Sequence, residues 1–127
     1  MACALAEQYR AYLDCLNRQA WDELDRHVDE RVRHNGRPFG LAGYRAMLVR
    51  DFDEIPDLRF AAELVVCEAP HVAARLAFDC HPRATFLGLR VDGRRLRFTE
   101  NVFYEFAGGR IVAVWSVIDK AAIEAQL

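Results

Sequence analysis

The chain has 127 residues, a net charge of −2, 53% apolar residues and 28% charged ones. That length fits one domain spanning 1–127, and the balance is that of a packed globule rather than a disordered chain. There is no basic excess to bind nucleic-acid phosphates, and no apolar run approaches the ~20 residues of a membrane helix, so neither nucleic acid nor membrane is an expected partner. The cysteines Cys3, Cys15, Cys67 and Cys80 have no Cys-x-x-Cys spacing and fall within apolar patterns. Reduced thiols and a cytoplasmic location are therefore expected. Glu7 and Arg10 interrupt the N-terminal apolar pattern, which argues against a signal peptide.

Helices come first along the chain. Leu5, Tyr9, Tyr12, Leu13 and Leu16 recur at helical spacing and predict one amphipathic helix. Trp21, Leu24 and Val28 predict a short second helix, and Asn35-Gly36 and Pro38 mark a loop. Leu41, Tyr44, Leu48 and Phe52 predict a third helix closed by Pro56. The period then changes to two. Leu58, Phe60, Ala62, Leu64 and Val66 alternate with polar residues, Ala69-Pro70 breaks the run, and Val72, Ala74, Leu76, Phe78 and Cys80 alternate again. Both stretches predict strands with one buried face. Pro82 to Gly93 is irregular, with Phe86, Leu87 and Leu89 available to close part of a core. Leu96–Phe106 and Ile111–Ile118 flank Gly108-Gly109, a two-residue hairpin signal, and Lys120–Leu127 predicts a short final helix. Helices followed by strands predict an α+β domain: three N-terminal helices on a curved, mostly antiparallel sheet, with a pocket at its mouth.

The hairpin sets a register in which Tyr104 faces Ala113, Val102 faces Trp115, Glu100 faces Val117 and Phe98 faces Asp119. Alternation then puts Phe98, Glu100, Val102, Tyr104, Trp115, Val117 and Asp119 on the face with most of the apolar bulk. Glu100 and Asp119 become diagonal neighbours, roughly 7–8 Å apart. Two carboxylates in an apolar cavity should have their pKa values pushed apart, which is how one site supplies an acid and a base. Asp119 also stands where the last strand meets a helix, so it could be an N-cap, although Ala122 at N3 completes no capping box. His34 is a third candidate, as a neutral acid or base or as a loop residue holding backbone groups. Tyr9, Tyr12, Tyr44 and Tyr104 lie on inward stripes, and Tyr12, Tyr44 and Phe78 join the expected pocket lining. The four histidines show no ligand spacing, and there is no nucleophile elbow, P-loop or dinucleotide fingerprint. No metal and no cofactor are expected. Arg94, Arg95 and Arg97 read as a solvated strand end.

The stretch from Phe98 to Asp119, and above all its Gly-Arg-Ile…Trp…Asp run, resembles the C-terminal half of the SnoaL-like polyketide cyclases. These are also known as predicted ester cyclases, of the nuclear transport factor 2-like superfamily. Arg33-His34-Asn35-Gly36 resembles the family's His-containing segment, Pro56-Asp57-Leu58 the approach to its first long strand, and Phe86-Leu87-Gly88 its loop before the strand pair. The resemblance implies an α+β cone with a concave pocket, often a homodimer. It also implies that Asp119 is the general acid/base of an intramolecular aldol closure. On the residues themselves, Glu100 and His34 are expected to tune its pKa or to hold the substrate carbonyl. Such a base needs no cofactor when the substrate enolate is already delocalised. Three functions stay open: an aldol-type cyclase acting on an apolar carbonyl substrate, an enone isomerase or epoxide hydrolase in the same pocket, or a non-catalytic binding or assembly module. For the last, Phe103, Val112, Val114 and Ile118 predict an apolar outer face that a symmetric homodimer would cover.

Overall fold

A computed structural model describes residues 3–127. The first apolar stripe forms helix α1, Ala4–Asn17, which buries Tyr9, Tyr12, Leu13, Cys15 and Leu16. A 3-10 helix follows at Trp21–Arg26. Val28, expected at the end of that helix, instead opens strand β1, Val28–His34. Positions four apart share a face in a helix and in a strand alike, so buried Val28 and Val32 do not by themselves distinguish the two. The strand ends in a tight turn. Asn35 and Gly36 both take positive φ, +48° and +81°, and His34 and Arg37 exchange backbone hydrogen bonds of 2.9 Å. Asn and Gly tolerate this left-handed backbone best. Helix α2, Gly40–Glu54, then buries Tyr44, Leu48 and Phe52.

The remaining strands are β2 (Ala61–Glu68), β3 (His71–Cys80), β4 (Thr85–Phe86), β5 (Leu89–Arg90), β6 (Leu96–Ala107) and β7 (Arg110–Ile118), followed by helix α3 (Lys120–Glu124). The main sheet runs β1-β7-β6-β3-β2, and β4 with β5 forms a separate small hairpin. All neighbours in the main sheet are antiparallel except β1, which runs parallel to β7. Fold class is as expected: α+β, with helices packed on a mixed, curved sheet and a short helix at the C-terminal end.

Two bulges decide which side chains face the core. In β7, Ile111 pairs with Phe106 but Ala113 pairs with Glu105, so Val112 is an extra residue. In β2, Ala62 pairs with Leu76 but Leu64 pairs with Arg75, leaving Glu63 extra. A bulge bends its strand and flips every side chain beyond it to the other face. Val102 accordingly pairs with Ser116 and Glu100 with Ile118, not with Trp115 and Val117. Val114, expected on the outer face, is buried; Leu64 and Val66, expected inside, point out and are 56% exposed.

The expectation of four reduced thiols fails for one pair. Cys3 and Cys67 form a disulfide that ties the start of α1 to β2; Cys15 and Cys80 are free and buried. Sixty-four residues separate the bonded pair, so no local spacing pointed to it. No helix among the described residues is long and apolar enough to cross a membrane.

Candidate active site

Between α2, the concave face of the sheet and the β4–β5 hairpin lies a cavity of about 200 Å³. Its walls are mostly apolar. Phe60, Phe78, Phe98 and Phe86 form a run of aromatic contacts with ring centroids 5.1–5.6 Å apart. Phe60 is held in place by Asn17, whose side chain both donates to the Phe60 carbonyl (2.9 Å) and accepts from its N–H (2.7 Å). Asn17 thus stands in for a neighbouring strand ahead of β2.

Polar groups enter this surface at a few points. Glu100 reaches it from β6, Ser116 from β7, Asp51 from α2 and His34 from the end of β1. Burial pushes the Glu100 carboxyl up to about 7, with the Ser116 side chain pulling the other way and the charge of Asp51 adding to the rise. Burial likewise lifts Asp51 to about 6, helped by Glu54 and opposed by Arg50. Neither carboxylate belongs to an ion pair among the described residues. His34 is lowered by burial first and by Arg37 second, so its imidazole is neutral at neutral pH. Its ring stacks on Phe39 with centroids 5.4 Å apart.

The tyrosines form two hydroxyl pairs, of which Tyr12, Tyr44 and Tyr104 line the cavity. Tyr9 donates to Tyr104 at 3.1 Å, and the Tyr12 and Tyr44 hydroxyls lie 2.7 Å apart. Burial raises the pKa of all four, so they remain protonated donors. A hydroxyl carries one proton, so each pair uses one internally and keeps one O–H for a further acceptor. The site therefore combines carboxyls that exchange protons near neutral pH with fixed donors for an oxygen that gains negative charge.

The family model of the SnoaL-like polyketide cyclases matches residues 6–127. The chain belongs to this family. A crystal structure of a SnoaL-like polyketide cyclase from Agrobacterium tumefaciens is 58% identical, with 98% of each chain covered and a TM-score of 0.96. TsrD from Streptomyces laurentii shares 23% identity over 99% of this chain and 96% of its own, with a TM-score of 0.84. Wild-type IdmH from Streptomyces antibioticus shares 18% over 98% of each chain, also at 0.84. The last two show the fold alone. No curated protein matches.

Within this SnoaL-like frame, the expected site residues divide into two groups. Glu100, His34, Phe98, Tyr104, Val102, Phe78, Tyr12 and Tyr44 all line the cavity. Asp119, Trp115 and Val117 do not. The Val112 bulge turns Trp115 and Val117 to the outer face, where they are 43% and 72% exposed. Asp119 is exposed beyond the end of β7, and its carboxylate accepts the Ala122 N–H at 3.1 Å, capping α3. The partner of Glu100 across the cavity is thus Asp51, which the pattern reading overlooked. A signal was available: Asp51 lies three residues after Leu48 and four before Ile55, on the helix's buried stripe. Ser116 was hidden by the same register error that misplaced Trp115. Among the described residues no group of three His, Cys, Asp or Glu side chains is placed to hold a metal.

Proposed function

We propose that this SnoaL-like protein catalyses proton transfer at a carbon next to a carbonyl, leading to aldol-type ring closure of an apolar substrate, with Glu100 as general base and acid. The observation that carries this reading is a carboxyl held near pKa 7 in an apolar cavity beside unspent tyrosine hydroxyls. A base tuned to the working pH combines correct protonation with driving force. The ionised Glu100 carboxylate takes a proton from the acidic C–H, and the carbonyl oxygen of the resulting enolate accepts hydrogen bonds from the tyrosines. The enolate carbon attacks a second carbonyl carbon of the same molecule. The alkoxide formed there recovers the proton from Glu100, so no proton is gained or lost overall. The charge of Asp51 helps to hold the Glu100 carboxyl up, and Asp119 enters only as the cap of α3.

The test uses solvent-deuterium exchange into phenylacetone, a ketone with acidic C–H bonds, followed by proton NMR. The wild-type protein is expected to accelerate exchange, and Glu100→Gln to bring it to the buffer rate. Undiminished exchange in that variant would sink the assignment. For the assembly state, we propose a homodimer across the outer sheet face. Leu64, Val66, Phe103, Trp115 and Val117 are all exposed there by 43–72%, and a self-complementary contact covers such a surface most simply.

A further inference from the structure

The cavity's size and charge narrow what it can take, given the proton-transfer reading above. An engineered apolar cavity of ~150 Å³ holds one benzene, while drug-sized ligands occupy ~300–1,000 Å³. At about 200 Å³, this cavity has room for one ring with short substituents and falls short of a fused polycycle. The charge pattern is one-sided. Asp51 and Glu100 face the interior, and among the described residues His34 is the sole basic side chain on the wall, with no Lys or Arg lining it. A carboxylate ligand would meet two carboxyls and no fixed cation, whereas a neutral ketone meets tyrosine donors.

One wall is not part of the main sheet. Phe86 and Leu87 come from the β4–β5 hairpin, a two-stranded piece hydrogen-bonded apart from the other strands. Leu87 and Gly88 form its tip with φ of +52° and +77°. Phe86 packs on Phe98 at 5.4 Å, while Leu87 is 38% exposed, so the tip bridges the cavity and solvent. We infer that the ligand of this cavity is a compact, non-anionic carbonyl compound built on a single ring, with the hairpin tip at Phe86 and Leu87 setting the size limit.

Four probes test this by NMR chemical-shift titration of the full chain near pH 8. Acetophenone, 1-acetylnaphthalene and 9-acetylanthracene carry the same acetyl group on successively larger fused-ring systems. Benzoate matches acetophenone in size but is charged. Acetophenone is expected to bind at least about tenfold more tightly than benzoate or 9-acetylanthracene. Phe86→Ala should close the gap between acetophenone and the larger ketones by at least about tenfold. Equal binding of benzoate overturns the charge argument, and tighter binding of 9-acetylanthracene overturns the size argument. An unchanged order in Phe86→Ala overturns the role of the hairpin, and failure of all four probes to bind overturns the whole inference. Phenylacetone exchange separates this from the parent reading. A reversed probe order with Glu100-dependent exchange intact defeats the inference alone; the expected order with exchange indifferent to Glu100→Gln defeats only the proton-transfer reading.

Discussion

Replacing Glu100 with Gln should make the protein lose less stability than wild type as pH rises, while removing its proposed chemistry. Burial lifts the Glu100 carboxyl from its ordinary 4.5 to about 7. Between those values the native state binds more protons than the unfolded chain, so wild-type stability falls as pH rises through the window, and the loss is complete above about 7. At about 1.36 kcal/mol per pH unit, this displacement amounts to about 3 kcal/mol, the cost of keeping an ionised carboxylate inside the cavity. Gln has no proton to lose, and its contribution is flat across the same window. Asp51 is present in both proteins and cancels to first order in the difference. The assay is urea unfolding of both proteins at intervals from about pH 4 to 9, with the difference in unfolding free energy plotted against pH. That difference should move in favour of Glu100→Gln by about 3 kcal/mol between about pH 4.5 and 8. Any constant effect of the amide itself shifts the whole curve and does not matter. A flat difference would mean that the carboxylate is ionised in the cavity without penalty, and the case for Glu100 as a tuned base would fail with it.

Three further outcomes follow from the same geometry. Asp119→Ala removes the acceptor for the Ala122 N–H and should cost about 1 kcal/mol in unfolding experiments, with phenylacetone exchange at the wild-type rate; collapse of exchange would instead make Asp119 the base. Tyr104→Phe deletes a hydroxyl bonded to Tyr9 and should slow exchange about a hundredfold while near-ultraviolet circular dichroism stays native; an unchanged rate would exclude Tyr104 from oxyanion stabilisation. Trp115→Glu places a charge amid the exposed apolar residues of the outer sheet face and should convert a dimer to a monomer by light scattering at low micromolar concentration, whereas a wild-type monomer at that concentration would remove the dimer.

Much of the fold was legible because its signals were local. The stripe through Tyr9, Tyr12 and Leu16, the Tyr44–Leu48–Phe52 spacing, the alternation from Val72 to Cys80 and the Gly108-Gly109 turn each depend on neighbours a few residues away, and each matches an observed element. The Cys3–Cys67 bond and the parallel pairing of β1 with β7 depend on partners distant in sequence, and no local pattern encodes them. The site falls between these cases. Glu100 falls on the expected face of β6 because Leu96, Phe98, Val102, Tyr104 and Phe106 recur at every second position with Glu100 in the same series. Asp119 was misplaced because β7 does not alternate.

From Ile111 to Ile118, β7 is apolar at every position except Ser116. A run that is apolar on both faces cannot reveal a one-residue bulge, because sliding the pattern by one leaves it almost unchanged. The bulk of Trp115 therefore decided the sequence reading, on the premise that the heavier face lies inside. That premise holds when the outer face meets water, and here the outer face is the apolar patch of Phe103, Trp115 and Val117. The misplaced register and the exposed patch thus have one origin: a strand that is apolar on both faces, one covered by the cavity and its helices, the other open to a second copy of the chain in the proposed dimer. A sole polar residue in such a strand then becomes the informative one. Ser116 faces the cavity beside Glu100, and had the register been set by asking which face tolerates that hydroxyl next to a buried carboxylate, Asp119 would have fallen outside the site from the start.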